Sequence, residues 1–230
     1  MQQEEIIRDI RQRCRKAMNG IASTSMRQRG ISYKVNFGLN IQQIKELSGR
    51  YKPDAELAEI LWKEDTRELK ILATLLYPAD DFTEVVANKW VTEIPNQEIR
   101  EQLSLNLLQI LPFAGKLALE WSNSKDESIR TTGYWLLARL FLIKKADKQS
   151  ASDCTFIWDD VISDNMFLRN AASLALKHIG RQSKIEADII LDKLSIYKDD
   201  ENLVKQEAYN SLAFEFEYYS LPNPSEGGAS

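Results

Sequence analysis

A recurrence of helix starts constrains this chain more than any other feature. The segment Ser124-Lys125-Asp126-Glu127-Ser128-Ile129-Arg130-Thr131-Thr132-Gly133 aligns with Ser163-Asp164-Asn165-Met166-Phe167-Leu168-Arg169-Asn170-Ala171-Ala172. Each carries a capping Ser or Asp, an apolar–basic pair, and a small residue (Gly133, Ala172) three positions after the basic one. The pair recurs at Ile99-Arg100 and Val204-Lys205, and loosely at Thr66-Arg67. Basic positions thus fall at 67, 100, 130, 169 and 205, with spacings of 33, 30, 39 and 36 residues. Between them apolar residues recur every three or four positions, as on one face of a helix. Leu69, Leu72, Ala73 and Leu76 run up to Pro78; Leu103, Leu107, Leu108 and Leu111 run up to Pro112. A period of about 30–47 residues holding two helices is that of an α-solenoid, in which no helix pair covers its own apolar face and each repeat packs on the next. The sequence therefore predicts an all-α fold, an α-α superhelix of the HEAT or armadillo kind with about five to six repeats.

Punctuation agrees with this reading. Breaks fall at Lys52-Pro53-Asp54, Tyr77-Pro78, Ile94-Pro95-Asn96, Leu111-Pro112 and Ser122–Asp126, between expected helices of about 10–17 residues. Gly and Pro total 15 of 230 residues, about half the usual share of roughly 12 %, which excludes turn-rich β architectures. A single repeat domain is expected over residues 1–220. Residues 221–230, rich in Pro, Gly and Ser without an anchoring apolar side chain, read as a disordered tail.

Several function classes drop out. Two distant cysteines, Cys14 and Cys154, make no disulfide framework, and with the single His178 they make no zinc site. No metal and no cofactor is expected: there is no Gly-rich phosphate loop, no GxSxG elbow and no HExxH. No apolar run spans a membrane, and the charged N-terminus is not a signal peptide, so the expected location is the cytoplasm. His178 ends a helix, where a cation suits the macrodipole. Cys14 sits in an arginine-rich helix that could lower its pKa.

The net charge of −4 is uneven: residues 1–70 carry 14 Lys/Arg against 10 Asp/Glu, and the remainder carries 16 against 24. A basic surface near the N-terminus is compatible with a polyanionic partner. Two roles are open to Arg100, Arg130, Arg169 and Lys205: a ladder of cations along one groove, or pairing with acids of the adjacent turn such as Asp126 and Asp164. Arg27, Arg29 and Lys34 lie in a segment (26–40) of cations, aromatics and two glycines, which reads either as a phosphate grip through side chains and amides or as a solvated connection. Of the five tryptophans most belong in the core. Trp90, near a break, belongs there or at the edge of a groove.

Phe37-Gly38-Leu39-Asn40 followed by Ile44-Lys45-Glu46-Leu47, then Leu61-Trp62, Thr66-Arg67-Glu68-Leu69-Lys70-Ile71-Leu72-Ala73, Lys89-Trp90, and Trp121 with Ser128-Ile129-Arg130, resemble in order and spacing the AlkD-type DNA alkylation repair proteins. The resemblance covers most of residues 26–180. It implies a HEAT-like solenoid that binds double-stranded DNA, plain or alkylated, and an alkylpurine DNA glycosylase activity. Such excision needs a carboxylate beside an oxocarbenium-like sugar, an aromatic face and a cation on phosphate. The resemblance gives the aromatic role to Trp90. It places the carboxylate at position 94, occupied by Ile94, with Glu93 beside it as the available acid. It places the arginine at Thr131, next to Arg130, and a second Trp near Leu174. Phosphate contacts then fall to Arg27, Lys34, Arg100, Arg130, Arg169 and Lys205. The competing expectation is a noncatalytic solenoid binding a protein partner or a DNA structure. A monomer is expected in either case.

Overall fold

A computed structural model describes residues 2–146 and 148–220. The chain divides into two compact units, Met1–Leu111 and Pro112–Ser230. The proposed tail lies outside the described residues.

The first unit holds α1 (Gln2–Lys16), α2 (Gly20–Gln28), α3 (Ile41–Ser48), α4 (Ala55–Lys63), α5 (Arg67–Leu76), α6 (Glu84–Thr92) and α7 (Gln97–Asn106). The second holds α8 (Ala114–Ser122), α9 (Glu127–Leu142), α10 (Ile157–Asp160), α11 (Met166–Gly180), α12 (Lys184–Leu194) and α13 (Leu203–Ser220). Short 3-10 turns occupy several connections. Among the described residues there is no strand, only one isolated bridge between Val35 and Thr66.

The helices start where the sequence supplies caps. Asp54, Asn96, Asp126, Asn165 and Ser183 each accept a hydrogen bond from an amide of the first turn, and Asn40 and Gln43 form a reciprocal capping box. Several helices of the first unit are shorter than expected. The run toward Pro112 breaks after Asn106 and finishes as a 3-10 turn, Leu108–Ile110.

Packing follows the repeat logic. In the first unit α5 packs between α3 and α7, with α4 as its antiparallel partner; in the second α11 packs between α9 and α13, with α8 against α9 and α12 against both α11 and α13. Leu57, Leu61, Leu69 and Leu72 fill the first core, and Leu117, Leu136, Leu168 and Leu176 the second; all are at most 1 % exposed. The small residues of the repeat sit where helices approach closely. A Cβ on Gly133 would lie 2.3 Å from the amide nitrogen of Ser122 in α8. Ala172, its counterpart, is fully buried.

Of the two readings of segment 26–40, a phosphate grip or a solvated connection, the part that relied on its amides loses several of them to internal acceptors. The Phe37 and Leu39 amides donate to Glu68, Lys34 to the Asp65 carboxylate, and Val35 to the Asp65 carbonyl. Gly38 takes φ +74 and passes so near Asn19 that a Cβ would sit 2.2 Å from its carbonyl oxygen. Cys14 is buried, and burial with the nearby Glu68 pushes its thiol up to about 12, so the neighbouring arginines do not activate it. His178 is half-buried with its ring parallel to Phe141; burial, with Arg181 close by, lowers its pKa and so works against a cation at the end of α11.

Candidate functional site

The basic positions of the repeat are mostly internal fastenings. Arg130 sits in the fourth position of α9, where its Nε and Nη2 donate to Asp160 at 2.7 and 2.8 Å, and Nη1 donates to the Ser124 and Lys125 carbonyls. Tyr134 also donates to Asp160, and the hydrogen bonds to that acid hold the Arg130 pKa up. Arg100 holds the same helical position in α7; it is buried and donates to Gln97. Arg67 begins α5. Burial opposes its charge, but the Glu98 and Glu68 carboxylates outweigh that and raise its pKa. The acids expected to pair, Asp126 and Asp164, are not the partners: Asp126 caps α9 through its amides, and Asp160 comes from the next repeat. Arg130 and Arg100 are 7 % and 6 % exposed, which leaves little of either side chain for phosphate.

Trp90 is in the core. Its ring is 0 % exposed and stacks on Trp62 with centroids 4.0 Å apart and planes 4° from parallel. Tyr77 and Phe82 meet it edge-on, and its indole N–H donates to Glu59 at 2.8 Å. Both faces and the polar edge are therefore occupied by the protein itself. Glu93 caps α6 and is exposed, but one of its oxygens accepts the Trp62 indole N–H at 2.7 Å. The two tryptophans and two glutamates form a reciprocal lock between α4 and α6. Lys70, over the Trp62 ring at 4.9 Å, has its pKa lowered by burial against the opposing pull of Glu93 and Asp65.

Free cations lie elsewhere. Arg27, Arg29 and Lys34 are exposed, in keeping with the sequence. Lys34 joins Arg11 and Arg15 of α1 and Lys63 at the end of α4 around one pocket of 610 Å³, floored by Val35, Phe37 and Ile60. Arg11 is paired with Glu64 at 2.6 Å. Among the described residues Arg15, Lys34 and Lys63 have no acid within ion-pair distance. On the far side of α1, Arg13, Lys16 and Arg50 line a second cleft of 350 Å³ with Glu46. The cations of α1 were missed as a site because only the tertiary docking of α1 beside α4 brings positions 11, 15, 34 and 63 together. In the second unit, Arg169 and Lys205 are half-buried: Arg169 donates to the Ser163 carbonyl, and Lys205 lies over the Tyr197 ring. What these surfaces can do is hold anionic oxygen without chemistry of their own.

A solved structure described as "A new family of proteins related to the HEAT-like repeat DNA glycosylases with affinity for branched DNA structures" matches with a TM-score of 0.66 at 15 % identity, covering 94 % of each chain. That likeness establishes an all-α, HEAT-like repeat fold. No curated protein matches the sequence. No helix among the described residues is long and apolar enough to cross a membrane. The family model for the DNA alkylation repair enzyme matches residues 10–212, and by that match over most of its length the chain belongs to the DNA alkylation repair enzyme family.

Proposed function

We propose that this protein binds DNA through phosphate contacts on the cationic face of its first unit and acts on DNA structure without excising alkylated bases. The observation that carries the reading is the pocket where Arg11, Arg15, Lys34 and Lys63 outnumber the two acids that also line it, Glu64 and Asp65, and where Arg15, Lys34 and Lys63 form no ion pair among the described residues. Four cations against two acids leave an excess of positive charge, which a polyanion neutralises. Family membership and the likeness to a protein with affinity for branched DNA point to the same partner. Against excision stands the lock on Trp90: an aromatic ring with both faces covered cannot stabilise a departing cationic base.

One incubation tests both halves. Purified protein is mixed with duplex DNA carrying N7-methylguanine and N3-methyladenine, released base is scored, and gel shifts are run on the same duplex and on a four-way junction. The expected result is binding, with base release at the spontaneous rate. Release above that rate would overturn the second half and make Glu93→Gln the next variant. Absence of binding to either DNA would overturn the first half and leave the protein-binding solenoid.

A further inference from the structure

The starts of α9 and α11 are built alike. Ser124 Oγ accepts the Asp126 amide and Ser163 Oγ accepts the Asn165 amide; Arg130 Nη1 donates to the Ser124 carbonyl and Arg169 Nη1 to the Ser163 carbonyl. They differ in what closes the rest of the guanidinium. Asp160 takes the Nε and Nη2 edge of Arg130. Arg169 has no acid within ion-pair distance among the described residues, and it lines a 690 Å³ groove between α11 and α13. A guanidinium edge presents two parallel N–H groups, a match for a carboxylate or a phosphate.

The groove has two characters. Arg169, Ser173 and Lys177 line it at intervals of four along α11, while half-buried Leu174 and the edge of Ala208 supply apolar surface. Lys177 is held loosely by Glu215 at 3.8 Å. Glu207 also lines the groove, so with Glu215 beside Lys177 the two cations are largely offset and the site suits one phosphate better than a polyphosphate. At the starts of the two helices stand exposed apolar side chains: Met166 at 52 %, Phe167 at 50 % and Leu203 at 76 %. Met166 lies three and four residues before Arg169 and Asn170, on the groove-lining stripe of α11. Apolar side chains of this kind wedge at unstacked base steps. A paired base in a regular duplex offers its faces only to its neighbours. An unpaired one offers a free π-face next to its own phosphate.

We propose that the groove between α11 and α13 seats one unpaired nucleotide of a DNA strand, its base against Leu174 and Ala208 and its phosphate on Arg169 and Lys177. This rests on the DNA-binding reading above and names the part of a DNA structure that the second unit takes.

Two measurements on the full chain test it. In the first, 2′-deoxyadenosine 5′-monophosphate is titrated and amide chemical shifts are followed. Shifts are expected on α11 and α13, and are expected to be smaller with inorganic phosphate or deoxyadenosine alone. In the second, gel shifts compare an intact duplex with the same duplex carrying a single-nucleotide bulge. The bulged duplex is expected to bind about tenfold more tightly. Ser173→Trp, which fills the groove, is expected to remove that preference while leaving intact-duplex affinity unchanged, and Arg169→Ala to reduce it. Absence of nucleotide shifts on α11 and α13, or a bulge preference that survives both variants, would overturn the proposal. Nucleotide binding without duplex binding would support the groove and count against the cationic face of the first unit. Duplex binding without bulge preference would do the reverse.

Discussion

Arg130 and Arg169 hold the same place on successive long helices, yet their removal has different consequences. Arg130→Ala leaves the Asp160 carboxylate, 5 % exposed as a side chain, without its bidentate partner. Breaking a buried pair from one side costs about 3–5 kcal/mol. Urea unfolding of Arg130→Ala is expected to show a loss of that order, and Arg169→Ala, with only a carbonyl partner, a loss below about 1 kcal/mol. An equal loss for the two would remove the distinction between fastening and free guanidinium. Trp90→Ala is expected to cost about 3–5 kcal/mol by opening a cavity under Trp62 and removing the indole donor to Glu59, which keeps Lys89. The recurrence of these arginines is visible in the sequence. Their partners are not, because Asp160 lies 30 residues further along in a one-turn helix, and only the fold brings it to Arg130.

At the scale of elements, the small residue after each basic one does what its position implies. In α9 the absent side chain of Gly133 admits the backbone of α8. Gly133→Ala is expected to destabilise the protein by about 1–3 kcal/mol, because the new Cβ meets backbone and not a flexible side-chain tip. A melting temperature equal to that of the parent would contradict the close approach. The end of α11 gives a pH prediction. His178 has a folded pKa below its ordinary 6.5, since burial disfavours its cation. The unfolded chain then binds the proton more readily than the native one. The stabilisation is fully present above about pH 6.5 and is lost as the pH falls through the lowered folded value. Denaturation series from pH 7.5 to 5 should show this loss in the parent and not in His178→Gln. Helix starts, stops and spacing were legible because caps, prolines and apolar periodicity are local. The end of α7 was not: the leucine pattern continues past Asn106, but the backbone tightens to a 3-10 turn before Pro112.

The whole molecule combines a repeat scaffold with an uneven charge, cations in excess over residues 1–70 and acids in excess over the remainder. The excess of cations in residues 1–70 marks the N-terminal part from sequence alone, and Lys34 proved exposed as expected. The pocket itself was not legible, because its cations come from α1, the connection before α3, and the end of α4. The aromatic and acidic positions suggested by the family resemblance illustrate the converse. Trp90 and Glu93 are readable as a pair, but the structure joins each to a residue of α4 and so turns them into packing. Phosphate contact at the N-terminal face has a direct signature in salt. Each neutralised phosphate contributes about 0.9 to the slope of log affinity against log salt on duplex DNA. The decisive measurement is that slope on a duplex for the parent and for a variant with Arg11, Arg15, Lys34 and Lys63 all changed to Gln, with circular dichroism to show that both fold alike. A slope shallower by about 3–4 and a large loss of affinity at low salt are expected for the variant. Equal slopes and equal affinities would mean that DNA, if bound at all, is held somewhere other than this face.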